Sequence, residues 1–223
     1  MCFSAEADLA TGLVAGLAGV DALRHTRQPG ERVLAALPVL FGAHQLTEAF
    51  VWWGLTDRVP WTVGDAAVWL YLSFAFVLLP VFVPLAVLAV EPDAGRRTVM
   101  KACAALGAVV AVVYLVALLV EPVSAQIDGH RVVYLNRLDG NGAVNALYVV
   151  SGCLPLLSSS HRGVVAFGVV NVAALAVLLW LDSNAKTSLW CAWAALSSVA
   201  IAAHLRHARG PSERRSTLRR QWA

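Results

Sequence analysis

Seven stretches of this chain, 9–23, 33–55, 66–90, 99–120, 143–157, 164–181 and 188–203, are almost wholly apolar. Polar or Gly/Pro-rich breaks separate them at 24–32, 56–65, 91–98, 121–142, 158–163 and 182–186. The apolar positions run together and do not alternate as lipid-facing barrel strands would. An unpaired backbone group in hydrocarbon costs several kcal/mol, so uninterrupted runs of this kind predict helices. The expected fold is all-α, a polytopic transmembrane bundle of about seven helices. In the longest break, the segment from Val123 to Tyr134 predicts a hairpin around an Asp128-Gly129 turn over the outer mouth of the bundle, with an irregular loop as the alternative.

The first run is short. Its uncharged part, Leu9 to Val20, cannot cross a hydrocarbon layer about 30 Å thick at about 1.5 Å per residue. Extending the helix back to Ser4, whose hydroxyl can cap it with Glu6 in the first turn, supplies the missing height. Cys2, Ser4 and Glu6 are then expected at outer-leaflet depth, turned toward the protein; the alternative is a thin or tilted helix with the octapeptide in the headgroups. Gly12, Gly16 and Gly19 on the same helix predict close approach of a neighbouring backbone. Pro80 and Pro84, four apart, predict a kink of the third helix on one face.

Composition supports this picture: 59% of the 223 residues are hydrophobic and 14% charged, against about 45–50% and about 25% in soluble domains. Helices of roughly 20 residues leave no room for a separate soluble domain. The expected organisation is a single bundle over 1–209 and a basic tail over 210–223. Basic residues on alternate breaks are unequal: Arg24, Arg27, Arg32, Arg96, Arg97, Lys101, Arg162 and six tail arginines make thirteen, against four in Arg58, Arg131, Arg137 and Lys186. The richer set faces the cytoplasm by the positive-inside rule, which predicts an outside N-terminus and a cytoplasmic C-terminus. Trp52, Trp53, Trp61, Trp69, Trp180 and Trp190 all fall near the expected outer interface. The acidic opening lacks the basic n-region of a secretory peptide. The arginine-rich tail directly follows an apolar helix and carries no nucleic-acid-binding motif, so it reads as an anchor near anionic lipid, with no nucleic acid as partner. Cys2, Cys103, Cys153 and Cys191 contain no CxxC pair, which excludes a zinc ribbon or thioredoxin motif.

The candidate chemistry lies where lipid should be. His44 and Glu48 stand at i and i+4 on one face of the second helix, with Trp52 a turn beyond. His44 is about eleven residues, roughly 16 Å, from the inner end of its span, near mid-membrane. Ionisable groups at that depth are costly and are candidates for function by default; the structural alternative is a buried His–Glu pair that fixes packing. The seventh run brings Trp190 and Cys191 back to the depth of Glu48. Cys2 and Cys191 could pair as a disulfide on the oxidising side, or join His44 and Glu48 as ligands of zinc or another transition metal. Cys103 and Cys153 read as small apolar packers. Asn145, Ser151 and Asn171 are expected to bond between helices. His204 and His207 read as a solvated helix terminus.

The opening Met1-Cys2-Phe3-Ser4-Ala5, the run from Phe41 through Glu48 to Trp52, and Ser188-Leu189-Trp190-Cys191 together resemble a family of uncharacterised bacterial multi-pass membrane proteins whose chains begin with that pentapeptide. The resemblance implies a bacterial cytoplasmic membrane protein and supplies no activity. In that family Gln often stands at the position of His44, which shifts weight to Glu48, Cys2 and Cys191. A retinal pigment is disfavoured, since Lys101 and Lys186 are the only lysines and both lie at membrane edges. Ceramidase-type zinc hydrolases use several deep histidines, and here His44 is the one at depth. The leading expectation is therefore a bundle with an outward-opening polar pocket lined by Cys2, Ser4, Glu6, His44, Glu48, Trp52, Trp190 and Cys191, binding or passing a small molecule or ion. The alternatives are a membrane-embedded hydrolase or transferase with Glu48 as general acid/base and Cys2 or a metal-bound water as nucleophile, and a structural subunit of a membrane complex. Expected partners are the lipid bilayer, a small molecule or ion, and a second copy of the chain if the glycine face serves self-association.

Overall fold

The computed structural model describes residues 4–26, 28–120, 122–129, 131–135, 141–181 and 193. Six helical rods and one hairpin make up the described residues. In chain order they are α1 (Ala5–Arg24), α2 (Pro29–Leu55), α3 (Trp61–Ser73) continued through a π-helical segment (Phe74–Leu78) into α4 (Leu79–Val90), α5 (Ala94–Val120), β1 (Ser124–Asp128), β2 (Arg131–Leu135), α6 (Gly142–Leu157) and α7 (Arg162–Leu181). Apart from position 193, the run at 188–203 and the tail at 210–223 lie outside the described residues. Three rods, Pro29–Leu55, Trp61–Val90 and Ala94–Val120, are long and apolar enough to cross a membrane.

Ser4 starts α1 as expected, its hydroxyl accepting the Ala7 N–H at 3.3 Å. The buried face of α1 is Ala5, Asp8, Gly12, Ala15, Gly19 and Ala22, a seam spaced alternately by three and four residues and built of small side chains but for Asp8. That seam lets α2 approach to backbone contact. A Cβ on Gly12 would lie 2.9 Å from the Gly42 carbonyl oxygen, and one on Gly42 only 2.6 Å from the Gly16 nitrogen. With Gly12 opposite Gly42 and the helices antiparallel, Ala5 is level with about Ala49. α2 runs on to Leu55, so the start of α1 falls about 9 Å short of its neighbour's end.

α2 ends in a Schellman motif: Asp57 takes φ 54° and donates to the Gly54 carbonyl, and Arg58 donates to that of Trp53. The reversal brings Arg58 back over the start of α1.

The third rod carries its two prolines as a change of helical register. Pro80 has no N–H, and its ring crowds the carbonyl four residues earlier. The chain accommodates this by letting the Leu79 N–H bond to the Phe74 oxygen, a π-helical step. The Ala75 carbonyl then has no backbone donor, because its π partner is Pro80. Tyr148 of α6 fills the gap, its hydroxyl donating to Ala75 at 2.9 Å.

The hairpin forms where expected, one residue out of the anticipated register. Asp128 pairs with Arg131 and is also bridged to it at 2.7 Å, so Asp128 ends β1 and Gly129 opens the two-residue turn. Gly129 adopts φ +62°, the left-handed value that glycine reaches without strain. Val132 and Tyr134 of β2 are buried in one core cluster with Ala49, Val51, Trp52, Tyr71 and Phe76. The hairpin thus has helices to pack on, which is what an isolated hairpin lacks.

Of the three expected interhelical bonds, one forms among the described residues. Asn145 accepts from the Tyr114 hydroxyl across α5 and α6 at 2.5 Å. Ser151 and Asn171 instead donate to carbonyls of their own helices, Tyr148 and Phe167, the back-bonding open to short polar side chains. Cys103 and Cys153 are buried free thiols, as expected of packers.

Candidate functional site

α2 presents three polar residues, spread over little more than one turn, to the interior. His44 is 2% exposed, Gln45 and Glu48 0%. Gln45 points toward α1, donating from Nε2 to Asp8 Oδ1 at 3.4 Å. Asp8 is also 0% exposed and is the residue the sequence reading missed. Glu6, expected to line the site, lies exposed and faces Arg58 at 3.5 Å, at the rim. The two acids are two positions apart, about 200° around a helix, so only one can face α2. The signal was present: stepping back from Gly19 and Gly12 by three and four residues lands on Asp8 and Ala5, not on Glu6.

On the other side of α2, Glu48 meets the hairpin. The Tyr134 hydroxyl donates to Glu48 Oε1 at 3.2 Å. The Tyr134 ring stacks on Tyr71 of α3 at 4.5 Å, Tyr71 stacks on His44 at 4.0 Å, and His44 stacks on Phe74 at 4.3 Å. Four near-parallel rings therefore form a column from the hairpin to the π-helical segment. Both ring nitrogens of His44 are buried without a hydrogen-bond partner. The alternative of a structural His44–Glu48 pair is thus not what forms: the imidazole is held by its faces, and Glu48 accepts from the hairpin.

The remaining expected residues divide cleanly. Ser4 serves as a helix cap. Trp52 is 7% exposed, within the core and not in an interfacial belt, and its Nε1 has no hydrogen-bond partner. Cys2, Trp190 and Cys191 lie outside the described residues, and with them two of the four expected metal ligands. Among the described residues, no three His, Cys, Asp or Glu side chains converge in a way that could hold a metal ion.

A second polar cluster, unanticipated from sequence, closes the opposite end. Glu91, 2% exposed, joins the α4–α5 and α6–α7 connections. It accepts from the Ser159 hydroxyl at 3.1 Å, the Ser160 N–H at 2.7 Å, the Asp93 N–H at 3.2 Å and the Ser160 hydroxyl. Burial pushes the Glu91 carboxyl up, but the Ser160, Asp93 and Ser159 donors outweigh it and hold the group down at about 2. Arg96 adds bonds to the Ser158 and Ser159 carbonyls at 2.9 and 2.8 Å, and His161 Nε2 lies 2.9 Å from the Val90 carbonyl. Every partner of this carboxylate belongs to a chain connection, so the cluster acts as a structural clasp. Serines at 158–160 after a Pro-containing helix read from sequence as loop alone.

The chain belongs to a family described as a family of unknown function (DUF6629), whose sequence profile matches residues 1–216. No curated protein and no solved structure matches it.

Proposed function

We propose that this member of a family without an assigned activity is an integral protein of the bacterial cytoplasmic membrane, crossing it about seven times with its N-terminus outside, and that it holds a polar intramembrane site for a small molecule or ion. The site is closed over in this structure and is reached from the extracytoplasmic side. One observation carries the reading: Asp8, His44, Gln45 and Glu48, from two helices, are all at most 2% exposed, in a bundle with three helices able to span a membrane. Burying ionisable groups in such a setting is costly and is retained where they serve a substrate or ion path.

The location of the site supports the outward opening. It lies beneath the short end of α1 and beside the hairpin, at the end of the bundle poor in Lys and Arg. Apolar side chains on the outer surface, among them Leu17 at 69%, Leu119 at 67% and Val120 at 76% exposed, suit contact with lipid tails. Trp61 and Trp180, 75% and 85% exposed, suit the outer headgroup layer.

The test is accessibility. In a background with the four native cysteines replaced by Ser, Gln45→Cys should react with a membrane-impermeant thiol reagent applied outside intact cells, and Arg214→Cys only after permeabilisation. Protection of Gln45→Cys until the protein is denatured would sink the outward-opening site, and outside labelling of Arg214→Cys would reverse the topology.

A further inference from the structure

We propose, resting on that reading of the site, that the β1–β2 hairpin is the lid of the site, latched by Tyr134, and that a small molecule or ion enters when the hairpin lifts. Asp8, His44, Gln45 and Glu48 are at most 2% exposed, so some element must move before anything from outside touches them. The surrounding helices are held together backbone against backbone. Between α1 and α2, a Cβ on Gly12 would lie 2.9 Å from the Gly42 carbonyl oxygen; between α2 and α3, one on Gly54 would lie 2.5 Å from the Gly64 Cα; between α4 and α5, Gly107 faces the Pro80 carbonyl. Small residues at such crossings let rods pack closely, and a closely packed interface does not yield at one point alone.

The hairpin is seated by side chains. Val132 at 1% and Tyr134 at 5% exposed are buried in one cluster with Ala49, Trp52 and Tyr71. They stand two apart on β2 and so point to the same face. The Tyr134 hydroxyl reaches inward to Glu48 Oε1 at 3.2 Å, and its ring covers Tyr71, which in turn stacks on His44. Most of β1 is turned outward, with Ser124, Gln126, Ile127 and Asp128 exposed. The two strands hold each other from Ser124–Leu135 to Asp128–Arg131, where an ion pair of 2.7 Å closes the last rung. Bonded within itself and seated by two buried side chains of β2, the hairpin lifts as a unit when Tyr134 and Val132 withdraw, and its own ladder stays intact. Opening of this kind belongs to elements with few buried contacts, and lids so built close a site from water once it is filled.

The experiment measures how fast Gln45→Cys, in the background without native cysteines, reacts with the membrane-impermeant thiol reagent outside intact cells when the seat of the hairpin is weakened. Tyr134→Phe keeps the ring and removes the hydroxyl that reaches Glu48. Val132→Ala thins the other buried contact and alters no polar group. Each is expected to raise the labelling rate roughly tenfold, while Glu91→Gln, which weakens the clasp at the opposite end, leaves the rate unchanged. Should Tyr134→Phe not fold, Val132→Ala carries the comparison. A parent that labels, with the same rate in both hairpin variants or an equal rise in Glu91→Gln, overturns the lid and leaves the outward-opening site standing. A protected parent with labelling confined to the two hairpin variants supports the lid, and removes access to the site in the unaltered protein. Protection of Gln45→Cys in every variant until denaturation overturns both.

Discussion

Replacing Gly42 by Ala sets a methyl carbon 2.6 Å from the Gly16 nitrogen, 2.7 Å from the Gly16 Cα and 2.8 Å from the Gly12 carbonyl oxygen. All three are backbone atoms of the facing helix, so no rotamer change relieves the clash. Reaching ordinary contact requires α1 to retreat by roughly 0.8 Å or to tilt, and overpacking of this kind costs about 1–3 kcal/mol. The retreat also stretches the Gln45–Asp8 contact, already 3.4 Å long, beyond hydrogen-bond range. Gly16→Ala, beside the seam on the facing helix, has the opposite sign. A Cβ there meets nothing within 4 Å, and Ala is favoured over Gly within a helix by about 0.8–1 kcal/mol. The propensity gain is common to both helical positions, so the two variants should differ by the overpacking cost, about 1–3 kcal/mol, with Gly42→Ala the less stable and Gly16→Ala slightly above wild type. Tryptophan-monitored unfolding in mixed detergent micelles measures both against the parent protein. Equal stability of the two variants, or destabilisation by Gly16→Ala alone, would refute backbone contact along this seam.

The Glu91 clasp should fail in acid. The folded carboxyl sits at about 2 against an ordinary 4.5, so its contribution is complete above about pH 4.5 and is lost as pH falls toward 2, on the order of 3 kcal/mol in all. Glu91→Gln should accordingly be less stable than wild type at neutral pH, with the gap closing in acid; a gap independent of pH would show that the charge is irrelevant. Tyr148→Phe strips the Ala75 carbonyl of its side-chain donor and should cost about 1–3 kcal/mol without altering helix content by circular dichroism; an unchanged unfolding midpoint would mean that the π-helical step needs no such partner.

The course of the chain was largely legible in its sequence, because its helices are long apolar runs, three of them able to cross a membrane, whose ends are marked by charge, Gly and Pro. Every described helix coincides with one of the apolar runs, and the Ser4 cap and the hairpin were readable from local chemistry that depends on a few adjacent residues. His44 and Glu48 stood out for the same reason, since an ionisable residue inside an apolar run is conspicuous. What lies across the seam was not readable. Whether Glu6 or Asp8 turns inward depends on the rotation of α1 about its axis, and that rotation is decided by which face of α1 can come within backbone contact of Gly42. Likewise, nothing local to Tyr134, Tyr71, His44 and Phe74 announces a column of four rings, because they come from three segments far apart in the chain and are stacked only by the packing of the hairpin onto α2 and α3. Sequence alone thus determined which residues are out of place in lipid; tertiary packing decided what they touch, through contacts whose range in the chain exceeds anything a local pattern encodes.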